Sequence, residues 1–184
     1  MRIIAGEFRG RRLASVGKGD AGAHLRPTTD RVRESLFSVL TSLDVIDGAR
    51  VLDLFAGTGA LGLEALSRGA ETVVFVDDGR VAGKLIAENI RTLGCRDRAR
   101  LVRRDATRLG PCEEDPFDLV FLDPPYGKGL GEKALAAALA GGWIAPDALV
   151  VWEESTAMAV QEGFELRSSR RYGDTHVTLL DRAE

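Results

Sequence analysis

Two hydrophobic patterns alternate along the chain. Short apolar runs predict buried strands at 50–55, 72–77, 100–103, 118–122, 148–153, 164–171 and 176–181. Apolar stripes at helical spacing predict helices at 29–42, 59–68, 80–93 and 132–140. Because apolar strands alternate with helices, the chain is expected to adopt an α/β fold, with a parallel sheet covered on both faces.

The two ends of the chain depart from this alternation. The last two predicted strands are joined by a turn at Tyr172-Gly173-Asp174, so they form a hairpin that supplies at least one antiparallel strand. Residues 1–26 are basic and interrupted by glycines, which indicates a hairpin or an extended arm. We therefore predict a basic N-terminal extension over 1–28 and a main domain over 29–184.

The composition is that of one ordinary soluble domain, with 184 residues, 45% of them hydrophobic and 29% charged. Cys95 and Cys112 form no CxxC pair, so neither a disulfide framework nor a metal site is expected. The first residues lack the apolar core of a signal peptide, and no apolar run is long enough to span a membrane. We expect a cytoplasmic protein, with a monomer as its simplest state.

The net charge of −3 conceals an uneven distribution. Residues 1–33 hold eight basic and three acidic side chains, so they carry +5 and the rest of the chain carries −8. A basic arm on an acidic body is typical of proteins that bind a polyanion such as a nucleic acid, although a solvated tail has the same composition. The candidate RNA-binding residues are Arg9, Arg11, Arg12, Arg26, Thr29, Arg31 and Arg33. Alternatively, Arg31 and Arg33 pair with Asp30 and Glu34 on a solvated helix face.

A glycine-rich turn follows the first predicted strand. Gly57, Gly59 and Gly62 match GxGxxG, which lets the backbone turn tightly and lets a ligand approach it closely. Asp53 precedes the turn, and D-x-x-x-G-x-G is the pattern of class I methyltransferases. The turn offers no basic side chain to a pyrophosphate, whereas Asp53 would favour the cationic end of S-adenosylmethionine.

Two further acids complete the candidate cofactor site. Asp77 ends the second strand, where a carboxylate can accept hydrogen bonds from ribose hydroxyls. Asp105 follows the third strand and is placed either to contact the adenine amino group or to cap a helix. The candidate cofactor-binding residues are Asp53, Phe55, Ala56, Gly57, Thr58, Gly59, Asp77, Asp105 and Ala106.

The main chemical motif is Asp123-Pro124-Pro125-Tyr126, directly after the strand predicted at 118–122. An exocyclic amine of a base is a poor nucleophile, because its lone pair is delocalised into the ring. Hydrogen bonds from its N–H groups to Asp123 and to a backbone carbonyl would free this lone pair and stabilise the developing positive charge. The prolines would fix carbonyls toward the substrate, and Tyr126 would stack on the base. We therefore predict that these four residues are catalytic.

These motifs resemble the RsmD family, the bacterial 16S rRNA guanine-N2 methyltransferases. The similar stretches run through nearly the whole chain, and the most specific is Arg26-Pro27-Thr28-Thr29-Asp30-Arg31-Val32-Arg33-Glu34. The resemblance implies a Rossmann-like class I methyltransferase fold, whose seven-stranded, mostly parallel sheet has one antiparallel strand, with a small N-terminal hairpin and helix extension. It also implies S-adenosylmethionine as the donor, and the N2 amine of one guanine in the small ribosomal subunit as the acceptor.

Other functions would need some of the same residues. An amino methyltransferase acting on adenine or cytosine in DNA, or on a protein glutamine, would use a similar motif, although the protein substrate leaves the basic arm unexplained. An NAD(P)-dependent oxidoreductase would use GxGxxG, but the chain has no Tyr-x-x-x-Lys or other hydride-transfer motif. A non-catalytic RNA-binding assembly factor would need only the arm. Pro111-Cys112 resembles the nucleophile pair of cytosine-C5 methylation, but its acidic loop disfavours a thiolate.

Overall fold

The structure, a computed structural model, describes residues 1–16 and 28–184. The helices in these residues are α1 (Asp30–Ser42), α2 (Ala60–Ser67), α3 (Arg80–Leu93) and α4 (Leu130–Ala140), with a 3₁₀ turn at Ala106–Arg108. The strands are β1 (Arg50–Leu54), β2 (Thr72–Val76), β3 (Ala99–Val102), β4 (Phe117–Leu122), β5 (Ile144–Glu154), β6 (Phe164–Tyr172) and β7 (Thr175–Arg182). Every helix and strand predicted from the sequence is present.

The strands form one sheet in the order β3-β2-β1-β4-β5-β7-β6. Neighbouring strands from β3 to β5 are parallel, whereas β7 pairs antiparallel with both β5 and β6. The predicted seven-stranded, mostly parallel sheet with one antiparallel strand is therefore confirmed. The chain order reverses between β1 and β4, and ligands of open α/β sheets bind at the carboxyl ends of the strands beside such a point.

The largest difference from a predicted strand boundary is in β5, which begins at Ile144 rather than at residue 148. Pro146 has no N–H for a strand ladder. In the structure Pro146 and Asp147 are exposed at a register irregularity opposite the start of β4, where the ladder is interrupted. The strand therefore continues on both sides of the proline.

Alternate strand residues pack into two apolar clusters, one on each face of the sheet. On one face α1, α2 and α3 cover residues such as Phe75 and Phe121. On the other face α4 and the 3₁₀ turn cover residues such as Leu54 and Leu122. Because both faces are buried, the central strands are continuous apolar runs, and their polar side chains lie at the strand ends. No helix of the described residues is long and apolar enough to cross a membrane.

Residues 1–16 form a hairpin, which we call the arm. Ile3 N–H donates to Arg11 O at 2.9 Å, which confirms the hairpin alternative of the sequence prediction. The apolar side chains of the arm join the cluster beneath α1, α2 and α3; they are Ile3, Phe8 and Leu13. The arm's tip lies at the amino ends of the strands, because Glu7 N–H donates to Ser67 O in the last turn of α2 at 2.8 Å.

Candidate active site

The loop after β1 is shaped by left-handed backbone conformations. Phe55 has a φ of 56° and Gly57 a φ of 61°. This conformation is costly for a residue with a side chain and is found where surrounding structure enforces it, often at binding loops. Gly59 N–H closes the turn on Ala56 O at 2.8 Å. A Cβ on Gly57 would find no atom within 4 Å, so a ligand could approach the backbone here.

Gly62 and Asp53 fix the base of this loop. A Cβ on Gly62 would lie 2.6 Å from the Phe75 ring, so α2 can pack this closely on β2 only with glycine here. The buried Asp53 accepts a hydrogen bond from Gly62 N–H at 3.0 Å. Burial raises the pKa of Asp53 well above its usual range; the Gly62 hydrogen bond opposes this rise, and the charges of Asp77 and Glu153 add to it. A positive group nearby would therefore stabilise the ionised form of Asp53.

Asp77 connects the ends of β1 and β2. Its Oδ2 accepts from Gly57 N–H at 3.0 Å, and its Oδ1 accepts from Gly79 N–H at 2.8 Å. The carboxylate thus stands beside the open side of the glycine loop. This position fits the ribose-binding role expected from the sequence.

Asn89 ties the loop to the arm from the buried face of α3. Its Nδ2 donates to Thr58 O at 2.9 Å and to Ala14 O at 3.2 Å, and its Oδ1 accepts from Ala14 N–H at 2.7 Å. Thr58 is buried, and its hydroxyl lies 3.7 Å from the Met1 sulfur. The arm therefore supports the glycine loop, an arrangement that the sequence did not predict.

Asp105 caps the 3₁₀ turn that follows β3. Its Oδ1 accepts from the Thr107 hydroxyl at 2.7 Å and from Thr107 N–H at 2.9 Å. These two hydrogen bonds lower the pKa of Asp105. Of the two roles weighed from the sequence, the helix cap is confirmed. Contact between the adenine ring and Asp105 or the buried Ala106 remains a prediction.

Asp123 lies where β4 ends, between the ends of β1 and β5. Its N–H donates to Leu54 O at 3.4 Å, and the pairing of Leu122 with Trp152 puts Glu153 beside it. Burial raises the pKa of Asp123 well above its usual range, and the neighbouring Glu153 carboxyl raises it further. We call Asp53, Asp123 and Glu153 the acidic cluster. None of the three forms a salt bridge with a basic side chain in the described part of the chain.

The sequence analysis did not identify Glu153 or Thr28 as site residues. Thr28 Oγ1–H donates to Glu153 Oε2 at 2.9 Å, so the segment before α1 reaches the strand ends. One signal was available for Glu153. It is a charged residue at the end of an otherwise apolar strand, a position at which a charged side chain is rarely buried unless it is paired. For Thr28 no such signal existed, because its partner is remote in the sequence.

Tyr126 occupies the outer side of the site. The residue is 39% exposed, and its hydroxyl lies 3.5 Å from Thr175 Oγ1 at the start of β7. Partial burial raises the pKa of Tyr126, and the hydrogen bond with Thr175 opposes this rise. Asp123 is half-buried, Pro124 is buried and Pro125 is exposed. An exposed ring beside a half-buried carboxyl group is suited to stacking on a base whose amine points toward that carboxyl group.

Comparison with known proteins places the chain in a family. The family model described as Conserved hypothetical protein 95 matches residues 1–181. Ribosomal RNA small subunit methyltransferase D of Escherichia coli strain K12 is 41% identical over 185 residues, covering 99% of this chain and 90% of that protein. The chain belongs to this family. The resemblance to the RsmD family noted in the sequence is therefore confirmed.

Other RsmD-family comparisons agree over most of their length. A protein of the same name from Haemophilus influenzae is 38% identical over 156 residues, covering 83% of this chain and 78% of that protein. The solved structure of yhhF from Escherichia coli superposes with a TM-score of 0.82 and 38% identity, covering 99% of this chain and 97% of that one. The fold is thus the Rossmann-like fold of class I methyltransferases that the sequence implied.

The RNA-contacting side chains predicted for this RsmD-family chain have different surroundings. Those exposed to solvent are Arg9, Arg11, Arg12, Thr29 and Arg31. Arg11 also donates to Thr92 O at 2.7 Å, and Thr29 Oγ1 caps α1 by accepting from Val32 N–H at 3.3 Å. Arg26 lies outside the described residues. RNA contact by the exposed set remains a prediction.

Arg33 does not fit the expected RNA contact, because its side chain is completely buried. The guanidinium pairs with Glu64 at 3.3 Å, donates to Arg2 O at 2.8 Å and forms an ion pair with Asp30. Glu64 also accepts from two backbone N–H groups of the arm and from Arg68. The pairing with Asp30 weighed from the sequence is present, but it joins a completely buried guanidinium to an exposed carboxylate rather than two solvated side chains. Arg33 therefore has a structural role, in which it joins α1, α2 and the arm.

Cys112 lies at the opposite end of β4 from Asp123. Its N–H donates to Gly141 O at 2.8 Å, just after α4 and close to the amino end of β4. Its thiol donates to Glu114 O at 3.3 Å. This position does not favour the cytosine-C5 alternative, which needs a thiolate next to the base. Among the described residues, no group of His, Cys, Asp and Glu side chains could hold a metal ion.

Proposed function

We propose that this chain transfers a methyl group from S-adenosylmethionine to the exocyclic N2 amine of a guanine in 16S rRNA of the small ribosomal subunit. The observation that carries the proposal is the position of Asp123-Pro124-Pro125-Tyr126, at the end of β4 beside the open glycine loop of β1. Relatives named ribosomal RNA small subunit methyltransferase D support the RNA substrate. A ribosomal substrate implies the cytoplasm, and a monomer suffices because one chain provides every group named here.

The residues around the loop fit S-adenosylmethionine. Open space beside Gly57 would admit the ligand against the backbone, and Asp77 stands next to it. Asp53 belongs to the acidic cluster, and a positive charge would lower the cost of ionising these carboxyls. A pyrophosphate would instead meet like charges here, which disfavours NAD(P). When bound, S-adenosylmethionine supplies the methyl group on a positively charged sulfur.

The chain's own groups then prepare the amine. An ionised Asp123 accepts a hydrogen bond from the guanine N2 amine, and a carbonyl of the proline pair accepts a second. These bonds favour a pyramidal nitrogen whose lone pair points out of the ring. As positive charge develops on the nitrogen, the Asp123 carboxylate stabilises it in surroundings that screen charge poorly. Tyr126 holds the base by stacking on its face.

The direct test is methylation of small subunits from cells that lack the protein. The protein is incubated with these subunits and labelled S-adenosylmethionine, and the RNA is then digested to nucleosides. We expect label in N2-methylguanosine. Label in methyladenosine or a methylated cytidine would keep the enzyme but overturn its target. Labelling of DNA in place of RNA would favour the DNA amino methyltransferase.

An Asp123→Ala variant separates an enzyme from a binding factor. Without the carboxylate, methyl transfer should fall by about 10²-fold or more, while RNA affinity stays near that of the natural chain. Filter binding measures the affinity, and the nucleoside assay measures the transfer. Equal transfer by both proteins would refute the role of Asp123. Strong RNA binding with no transfer by either would favour the assembly factor.

A further inference from the structure

Glu153 is a buried carboxyl group that the proposed mechanism does not use. It is 2% exposed at the end of β5, next to Asp123 at the end of β4. Buried carboxylates are costly unless they are paired or fully hydrogen-bonded. Its presence among apolar residues therefore calls for a physical account.

The hydrogen bonds of Glu153 are incomplete. Its Oε2 accepts from Thr28 Oγ1–H at 2.9 Å, whereas its buried Oε1 has no hydrogen-bond donor within the described residues. An unsatisfied carboxylate oxygen in the interior costs stability. A proton held between Glu153 and Asp123 would supply the missing donor, because the pairing of Leu122 with Trp152 puts the two carboxyl groups side by side.

The other ionisable groups around the pair favour such a proton. Asp53 on β1 and Glu154 on β5 both add negative charge near Asp123, and Tyr126 is a neutral neighbour from the following loop. Burial raises the pKa of Asp123 well above its usual range and also raises that of Glu153, for which the bonds from Thr28 and Asp123 oppose the rise. Two adjacent, poorly solvated carboxyls that cannot both ionise commonly share one proton.

We propose that Glu153 is a positioning residue, which holds one proton jointly with Asp123 and so tunes Asp123 as the acceptor for the target amine. This inference rests on the proposed function of Asp123. During transfer the new N–C bond forms as the donor's S–C bond breaks, which leaves a surplus proton and a positive charge on the nitrogen. That proton passes to Asp123, and the pair then releases one proton to solvent. The thioether and the methylated amine leave uncharged.

A Glu153→Gln variant tests this role through the pH dependence of kcat. With two protons on the pair Asp123 cannot accept from the amine, so kcat of the natural chain should fall as the pH is lowered through the second protonation of the pair. In Glu153→Gln, Asp123 titrates alone with a pKa between the two steps of the pair, so the acid limb should move to higher pH. The variant carboxylate also lacks the acid hydrogen bond that fixes its orientation, and we expect the plateau kcat to fall by about 10-fold with little change in KM.

Glu165→Gln is the matched control, because Glu165 is exposed at the start of β6, an edge strand of the sheet. It removes the same charge and should leave the acid limb in place. A purely structural role of Glu153 would change kcat or stability without moving the limb. An unmoved limb in Glu153→Gln would overturn the inference.

A second measurement needs no RNA and is made on the natural chain. Carbon-13 NMR of the natural chain, labelled at Asp carboxyl carbons, follows the titration of Asp123, whose signal is identified by its loss in Asp123→Asn. If Asp123 titrates as a lone carboxyl at ordinary acid pH, the proposal that the two carboxyls share a proton is refuted. If the natural chain methylates no RNA, the proposed function fails, yet this titration still decides whether the pair exists. If transfer occurs and needs Asp123 but the titration is ordinary, only this inference fails.

Discussion

At the scale of single residues, the carboxyl groups at the strand ends differ in what they bind. Asp77 accepts from two backbone N–H groups, and Asp53 accepts from Gly62 N–H beneath the loop. Asp123 instead faces another carboxyl, that of Glu153. Backbone donors hold the first two in place, whereas Asp123 keeps acceptor capacity for a substrate. Aspartate thus stabilises the backbone at two strand ends, and at a third it is placed to bind the substrate amine.

Tyr126 gives a prediction at this scale, because its ring and its hydroxyl can be separated. The hydroxyl makes only a long contact of 3.5 Å with Thr175, while the ring is exposed beside the acidic cluster. Tyr126→Phe should therefore keep most of the activity. Tyr126→Ala should lose about 10- to 100-fold in kcat/KM, since stacking of an aromatic ring on a base contributes about 1–3 kcal/mol.

Steady-state methylation of small subunits by the two variants provides the measurement. Thr175→Val is the control for the hydroxyl contact, and it should behave like Tyr126→Phe. A loss in Tyr126→Phe as large as that in Tyr126→Ala would contradict a stacking role. It would assign the function of Tyr126 to its hydroxyl.

At the scale of elements, one buried network joins the arm, α1 and α2. Glu64 and Arg33 are completely buried and pair at 3.3 Å, and Glu64 also holds the backbone N–H groups of Ile4 and Ala5. Removal of one partner from a buried pair leaves an uncompensated charge. Glu64→Ala should therefore lower the free energy of unfolding by about 3–5 kcal/mol.

Urea denaturation of a double-mutant cycle checks this network. Arg33→Met with Glu64→Ala should cost less than the sum of the single changes, because the buried charge and its lost partner disappear together. Glu34→Ala removes an exposed carboxylate from α1 and should change stability by no more than about 0.5 kcal/mol. Additive single costs would mean that Arg33 and Glu64 are not coupled.

The elements also show how far the sequence could be used. Strand and helix positions could be predicted because hydrophobic periodicity is local, and the Asp-Pro-Pro-Tyr motif has its place at a strand end by the same logic. The burial of Arg33 could not be predicted, because its partner Glu64 lies 31 positions away on another helix. Likewise, Thr28 and Glu153 are 125 positions apart and meet only through the sheet order. The sequence around Arg33, a basic residue with acidic neighbours, is the same whether the side chain faces solvent or the core.

At the scale of the whole molecule, the arm has two ends with different surroundings. Its tip lies at the amino ends of the strands, where Arg98 pairs with Glu7. Its other end approaches the glycine loop, where Met1 contacts Thr58 and Ala14 bonds to Asn89. Deletion of the arm would also remove buried apolar side chains from the core. Truncation would therefore confuse loss of RNA contacts with loss of stability.

Charge substitutions on the arm's surface test RNA contact without that complication. Arg9 and Arg12 are exposed, and replacing both with glutamine removes two positive charges while Ile3, Phe8 and Leu13 stay in place. If each arginine neutralises one phosphate, the slope of log affinity against log salt should become shallower by about 1.4 to 1.8. The affinity for S-adenosylmethionine should not change, because neither side chain touches the glycine loop.

Filter binding of small-subunit RNA across a salt series measures this slope. Lys133→Gln, exposed on α4 at the other face of the sheet, removes a positive charge away from the arm and should leave the slope as it is. An equal change in both proteins would indicate a general effect of net charge rather than contact with the arm. An unchanged slope in Arg9→Gln/Arg12→Gln would refute the arm's role. The phosphate contacts would then be sought at Arg170 and Arg171, which are exposed near the β6–β7 turn that Tyr126 contacts.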